Sequence, residues 1–364
     1  MSPSNGVNRQ KTPLVISIDA MGGDKGPSVV IDGIVKSLQK YPSTHFIVHG
    51  DKDKLDKLIS NQKTISSKCT VVHCDDVVTM DDKPSNVIRN GSSSSMWSTI
   101  ESVRNKKASI AISCGNTGAL MALSMVRLRK LPGVIRPAIA CLWPSKNKHG
   151  LNIVLDVGAD VKADAIDLSQ YALMGASYAR NGLNIKQPRV GLLNVGTEEH
   201  KGRPIIKQAY ELINDNAIGG NYEFIGFIEG SDIPSAKVDV IVTDGFTGNI
   251  ALKTGEGTAK LIRERLSFVF KSNFLSLLAG FLISKKLQRF ADGIDPRRVN
   301  GGVFLGLNGT VIKSHGDADS TGVAAAVELA IRLTKSGFNE QLAARVASTT
   351  KDEISTLKKI EEAS

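Results

Sequence analysis

The stretch that most constrains the fold is Val238-Asp239-Val240-Ile241-Val242, which runs into Thr243-Asp244-Gly245-Phe246-Thr247-Gly248-Asn249. A short β-branched run of this kind predicts a buried strand. Two glycines and several small polar residues then predict a tight turn, and from Asn249 the spacing becomes helical through Leu261 and Ile262. Strand, glycine turn and helix together aim backbone N–H groups and a helix N-terminus at one point, which suits an anion. A single copy is no more than an ordinary strand-to-helix connection, but this chain repeats it. Leu14–Asp19 leads into Met21-Gly22-Gly23-Asp24-Lys25-Gly26-Pro27, Ser109–Ser113 into Cys114-Gly115-Asn116-Thr117-Gly118, and Arg189–Val195 into Gly196–Gly202. In α/β proteins such loops gather at the carboxyl ends of the strands, where ligands bind. The expectation is one site built from several glycine loops on one sheet edge.

The rest of the chain keeps the alternation. Residues 27–39 read as a helix, 46–48 and 69–73 as strands, 92–104 as an amphipathic helix, 137–142 and 152–156 as strands, 168–181 as a helix and 224–229 as a strand. This predicts an α/β fold of three layers, a mostly parallel sheet with helices on both faces. The alternation breaks at 258–290, where no strand signal remains. There the apolar run Phe274–Ile283 lies between Lys260, Arg263, Arg265 and Lys271 on one side and Lys285, Lys286 and Arg289 on the other. Gly280 or the Ser272-Asn273 pair would fold 258–292 into a helical hairpin. Two readings stay open: buried core helices, or a hairpin that meets a membrane surface or a partner through Phe274, Leu277, Leu278 and Phe281. Residues 302–312 read as an antiparallel or edge pair, 320–336 as a helix and 339–360 as a last helix. The organisation expected is a disordered tail over 1–12, one catalytic domain over 13–347 and the end of the C-terminal helix over 348–364.

Charge narrows the partners. A net charge of +10 calls for something acidic: nucleic acid, anionic lipid, an acidic protein or a phosphorylated substrate. Aromatic content is 5% and no RNA- or DNA-binding motif occurs, which speaks against nucleic acid. Cys69, Cys74, Cys114 and Cys141 have no zinc-knuckle spacing, and the histidines form no HExxH pair, so no metal is expected. Reduced thiols fit a cytoplasmic protein. Met1 to Thr12 lacks the apolar core of a secretory signal, and no apolar run reaches the roughly 18 residues of a bilayer span.

The loops exclude two cofactors by pattern. Gly22-Gly23-Asp24-Lys25-Gly26 has the wrong spacing for a dinucleotide fingerprint, and Gly196–Gly202 ends in Lys-Gly, the reverse of a phosphate-binding Walker loop. Neither NAD nor ATP is signalled, and no cofactor is expected. What remains are small-residue loops carrying Lys25, Asn116, Thr117, Lys201, Thr247, Asn249 and His315, donors and cations suited to phosphate and to a developing oxyanion.

The motifs IDAMGGDKGP, SCGNTGALMA, LDVGAD, RVGLLNVGTEEHKG, DVIVTDGFTGNIALKTGEG and GGVFLGLNGTVIKSHG together resemble, in this order, the PlsX family of phosphate acyltransferases. The resemblance covers about Leu14 to Arg332. It implies an enzyme making acyl phosphate from acyl-acyl carrier protein and inorganic phosphate, for a membrane glycerol-phosphate acyltransferase of phospholipid synthesis. It also implies a fold like that of isocitrate and isopropylmalate dehydrogenases and of phosphotransacetylases, a homodimer, a protruding helical hairpin, and a cytoplasmic protein partly peripheral at the inner face of the membrane. On this reading Lys201 orients phosphate or stabilises the oxyanion, and Asn249 is an oxyanion donor. Substrate would be bound by Gly22, Gly23 and Lys25 in the first loop and by Gly115, Asn116, Thr117 and Gly118 in the second. Gly196, Gly245, Thr247 and Gly248 would bind it beside the two catalytic residues, with His315 as a further contact or an acid for the leaving thiolate. Asp19 and Asp244 read as acceptors that orient loops. Two positions depart from the family: Asp160 stands where an Asn is usual, and Cys114 where a small residue such as Ala is usual. Asp160 is therefore expected to face away from phosphate or to be paired, and Cys114 not to be a nucleophile. Fold likeness also leaves a metal- and NAD-dependent decarboxylating dehydrogenase as an alternative, and the basic hairpin leaves a non-enzymatic membrane scaffold.

Overall fold

The structure is a computed structural model that describes residues 14–62, 64–273, 276, 278, 281–287 and 301–346. The tail, the stretch 348–364, and Phe274 and Leu277 lie outside the described residues. Eleven strands form one sheet in the order β3-β2-β1-β4-β11-β10-β5-β6-β9-β7-β8. They are β1 (Val15–Asp19), β2 (His45–Gly50), β3 (Cys69–His73), β4 (Ile110–Ser113), β5 (Ala138–Pro144), β6 (Leu151–Leu155), β7 (Arg189–Leu193), β8 (Glu223–Ile228), β9 (Val240–Val242), β10 (Gly302–Leu305) and β11 (Thr310–Lys313).

Each wing is parallel, β3-β2-β1-β4-β11 on one side and β6-β9-β7-β8 on the other. The centre is not: β11–β10, β10–β5 and β5–β6 are all antiparallel. The pair at 302–312 is thus antiparallel and central, not at an edge. An odd number of reversals makes the two wings run in opposite directions. The carboxyl ends of β1, β2, β4 and β11 therefore lie along one edge of the sheet, and those of β6, β7, β8 and β9 along the other. This corrects the expectation that all the glycine loops share one edge.

Alternation along the strands divides the core into two layers. Ile110 and Ile112 of β4 face one cluster, with α1 (Pro27–Lys40), α6 (Ala165–Leu183), α7 (Pro204–Asp215) and α10 (Ser320–Lys335) packed over it. Ala111, between them, faces the other cluster, covered by α4 (Ser95–Arg104) and α5 (Thr117–Leu128). The remaining helices on the way are α2 (Lys52–Ser60), α3 (Pro84–Asn90) and the single turn α8 (Ala217–Gly220). The chain is helical again over 338–346.

Helix α9 (Gly245–Lys271) is the element that departs most from the sequence reading. It starts at Gly245, so the expected glycine turn is its first turn, and its N-cap is Asp244, not Asn249. Asp244 accepts from the Thr247 amide at 2.8 Å and from the Thr247 hydroxyl at 3.0 Å. The glycines allow the helix to sit directly on the loop after β6. A Cβ at Gly245 would lie 2.5 Å from Asp156 Oδ2, and one at Gly248 only 1.9 Å from the Asp156 carbonyl oxygen. Along α9 only Gly245 and Gly248 are buried; Phe246, Ile250, Leu261, Phe268 and Val269 are exposed. Beyond it Leu278 is half exposed and Phe281 is 75% exposed, so the described part of the apolar run is not core of this chain. No helix among the described residues is long and apolar enough to cross a membrane.

Candidate active site

On the edge formed by β1, β4 and β11, the loops hold one another. Asp19 ends β1 fully buried and accepts from Ser95 and Ser113, both at 2.7 Å, and from the Met21 amide at 3.1 Å. Burial pushes its carboxyl above the usual range, against these hydrogen bonds. Gly22 lies so close to Gly115 that a Cβ would come within 2.9 Å of that backbone and within 2.5 Å of Asp19. Asp24 donates its amide to Gly316 at 2.8 Å, which ties the first loop to the turn after β11. Lys313 ends β11 and donates its ammonium to the carbonyls of Cys114 and Ser314. Burial brings its pKa down to about 8. The Cys114 thiol is itself buried, which pushes it up, away from nucleophilic thiolate chemistry. Asn116 caps α5 through the Ala119 amide at 3.0 Å, and its own amide donates to the carbonyls of Met80 at 2.9 Å and Asp82 at 3.0 Å. Those donors are committed to holding the 80–84 loop. Lys25 is exposed. His315 Nε2 meets Glu256 Oε1 of α9 at 2.6 Å. Burial works against ionisation of Glu256, but His315 and Lys253 outweigh it and hold the carboxyl low.

On the other edge stands a second group. Asp156, fully buried, accepts from the amides of Ile139 at 2.8 Å, Ala159 at 2.9 Å and Asp160 at 2.6 Å, and so shapes the loop after β6. Burial raises its pKa to about 6, while the same amides pull it back. Asp160 is paired, one of the two arrangements expected for it: Oδ1 meets Arg136 at 2.8 Å and Oδ2 accepts from Tyr171 at 3.3 Å. Gly158 of this loop lies against the Asn249 side chain, where a Cβ would sit 3.7 Å from the amide. Asn249 is exposed, and its side chain makes no hydrogen bond among the described residues.

The loop after β7 completes the edge. Asn194 donates to the carbonyls of Gly196 at 3.0 Å and Lys201 at 3.3 Å, closing the loop on itself. Gly202 takes φ +91°, a region that favours glycine. Lys201 folds over Gly196 and pairs with Glu198 at 2.7 Å, both partly exposed. Arg203 then reaches across to Asp244 Oδ2 at 2.6 Å. Lys201 and Asn249 are thereby held on one edge.

The residues expected to form one site thus divide. Gly196, Lys201, Gly245, Thr247, Gly248 and Asn249 lie on one edge, while Gly22, Gly23, Lys25, Gly115, Asn116, Thr117, Gly118 and His315 lie on the other. The antiparallel centre of the sheet is the reason. The groups are joined by α9, which carries Asn249 at one end and Glu256 about 10 Å further on. Arg203, Arg136, Asn194 and Glu256 escaped the sequence reading. For Arg203 a signal existed, because it stands between Gly202 and a helix-starting Pro204. Among the described residues no group of three or more His, Cys, Asp or Glu side chains could hold a metal ion.

A sequence profile of the family described as fatty acid synthesis protein matches residues 14–341. The chain belongs to this family. The motif resemblance to the phosphate acyltransferases therefore holds along nearly the whole chain. A protein named phosphate acyltransferase from Cereibacter sphaeroides is 64% identical over 335 residues, covering 92% of this chain and 90% of that protein. One of the same name from Paracoccus denitrificans is 63% identical over 334 residues, covering 92% and 90%. Among solved structures, a phosphotransacetylase from Streptococcus pyogenes matches with a TM-score of 0.56 at 15% identity, covering 92% of this chain and 94% of that one. The EutD phosphotransacetylase from Staphylococcus aureus matches with a TM-score of 0.52 at 14% identity, with the same coverage. At such identities the likeness concerns the fold alone, and the fold is the α/β class expected from the alternation.

Proposed function

We infer that this chain is an acyltransferase that moves an acyl group from acyl-acyl carrier protein to inorganic phosphate, giving acyl phosphate for phospholipid synthesis. The observation that carries the reading is the fastening of the Lys201 loop to the first turn of α9 by Arg203 and Asp244, in a family whose members are named for this transfer. A phosphate oxygen attacks the thioester carbonyl. The C–O bond forms, the carbonyl π pair moves onto oxygen, and as it returns the C–S bond breaks and its pair leaves on sulfur as thiolate. Phosphate is already anionic near neutral pH, and a thiolate leaves without prior protonation, so no strong base or acid is needed. Lys201 supplies a mobile cation for phosphate once it swings from Glu198, and an exposed pair of this kind costs about 1 kcal/mol or less to open. Asn249, with its amide uncommitted, donates to the developing oxyanion. The relatives' names point to acyl transfer, so the dehydrogenase alternative is set aside.

The same reading covers the partners. Carrier proteins of this type are strongly acidic, which suits a chain of net charge +10. Its product would feed a membrane glycerol-phosphate acyltransferase. The exposed Phe246, Ile250 and Leu261 on α9 suit a second copy of the chain in a homodimer, and Leu278 and Phe281 between basic flanks suit peripheral contact with anionic lipid at the inner face of the membrane. The deciding experiment is thiol release from acyl-acyl carrier protein with and without phosphate. Release that needs phosphate is expected; release indifferent to phosphate refutes the transfer.

A further inference from the structure

A cavity of about 520 Å³ opens between the carboxyl half of α5 and the loops before β5 and after β6. Met121 and Met125 supply one wall, one turn apart on the same face of α5, and Ile135, Pro137 and Ala159 supply the others. This volume is in the range of small-molecule sites. Met125 and Ile135 stay 39% and 45% exposed, an apolar surface that folding alone leaves open. The cavity lies on the Asn249 edge: Ala159 follows Gly158, whose backbone lies against Asn249.

Its charged rim is graded. Arg136 is already engaged by Asp160 at 2.8 Å and Asp167 at 3.5 Å, and Lys130 donates to the Ile135 carbonyl at 2.7 Å. Arg129 makes no ion pair among the described residues. It ends α5 at φ +65°, where an Arg is strained and a glycine would be at ease. Strain of this kind, kept beside a cavity, points to a site.

We propose that this cavity receives the hydrocarbon chain of the acyl thioester, with Arg129 at its mouth facing the anionic arm that carries it. The proposal rests on the function inferred above and names a subsite for it. A linear chain fits an apolar slot that ends beside the reacting carbonyl, and methionine walls adapt to chains of different length. Charge complementarity favours the same occupant, because the uncommitted cation stands at the rim and the apolar groups stand within.

The test is Met125→Trp, which fills the slot, beside Met121→Ala, which widens it. Phosphate-dependent thiol release is measured with butyryl, octanoyl and palmitoyl carrier protein, and sedimentation gives the oligomeric state. Met125→Trp is expected to lower the palmitoyl-to-butyryl ratio of kcat/KM at least tenfold, since displacing even one methylene from an apolar pocket costs roughly 10-fold or more. Met121→Ala should shift the preference toward longer chains. An unchanged chain profile in both variants overturns the proposal. So does dissociation by Met125→Trp with an unchanged profile, which would make the cavity a subunit contact. Calorimetry with dodecyl phosphate separates this proposal from the reading it rests on. If wild-type protein shows no phosphate-dependent release yet binds dodecyl phosphate, and Met125→Trp weakens that binding tenfold, the cavity stands and the transfer does not. If wild-type protein does not bind dodecyl phosphate, the cavity is not an acyl site.

Discussion

The guanidinium of Arg203 donates to Oδ2 of Asp244 at 2.6 Å, joining a side chain that is 65% exposed to one that is 7% exposed. Asp244 spends its other oxygen on the first turn of α9, so one carboxylate serves both the loop that presents Lys201 and the helix that presents Asn249. The contact is worth more to geometry than to stability. An ion pair this exposed on one side contributes about 1 kcal/mol or less.

Arg203→Ala should therefore leave the melting temperature within a few degrees of wild type and lower turnover at least tenfold, because small misplacements of binding groups cost catalysis heavily. Arg203→Lys should restore part of it, since a point charge reaches Asp244 without the planar fork. Thiol-release kinetics beside thermal melts check this. Loss of stability in proportion to loss of rate would reduce Arg203 to a structural residue.

Lys201→Ala should lower the turnover number by about 10²–10³-fold with the fold intact, the scale for removing one preorganised donor. Asn249→Ala should do the same. Glu198→Gln acts in the opposite sense: it frees Lys201 from its 2.7 Å partner and should lower the KM for phosphate. Near-normal turnover in both Ala variants would displace the reaction from this edge.

Asp156 links pH to stability. Its carboxyl has an ordinary value of 3.8 and is raised to about 6 by burial in the fold. A raised pKa means that the folded state holds the proton more tightly than the unfolded chain. Its contribution is thus complete below about pH 4 and is lost as pH rises through 6, by roughly 3 kcal/mol at most. Asp156→Asn should flatten the melting temperature between pH 4 and 7. A pH slope equal to that of wild type would assign it to other groups.

Leu278→Gln with Phe281→Gln should reduce co-sedimentation with phosphatidylglycerol vesicles while turnover on soluble substrate is kept. Both side chains are exposed in the described part of the apolar run, between basic flanks. Unchanged vesicle binding would assign the run to contact between copies of the chain.

Much of this fold was legible because it is local. The β-branched runs and glycine turns mark β1, β4, β7 and β9 within a residue or two, and the loss of strand signal after Gly257 marks only the second half of α9, which begins at Gly245. Strand direction was not legible, because β10 meets β5 across about 160 residues of sequence and nothing in either run says which way it points. The roles of the small polar residues were hidden for a related reason. Asn116 looks like a free donor until the carbonyls of Met80 and Asp82 arrive to use it. Asn249 looks like a helix cap until Asp244, five residues earlier, takes that place and leaves the amide free. The contact of Arg203 with Asp244 was hidden in the same way, because it depends on a partner 41 residues away.

Helix α9 is one unbroken rod of 27 residues, about 40 Å long. It is anchored at Asp244 on one edge of the sheet and at Glu256, through His315, on the other. About four further turns of it extend past the second anchor. Such a rod is a lever with Glu256 as its fulcrum. Asn249 lies about 10 Å from that point, so a tilt of about 5° displaces its amide by about 1 Å. Force applied to the outer arm, by a lipid surface or by a second copy of the chain, would reach Asn249, the residue that the proposed reaction uses as its oxyanion donor.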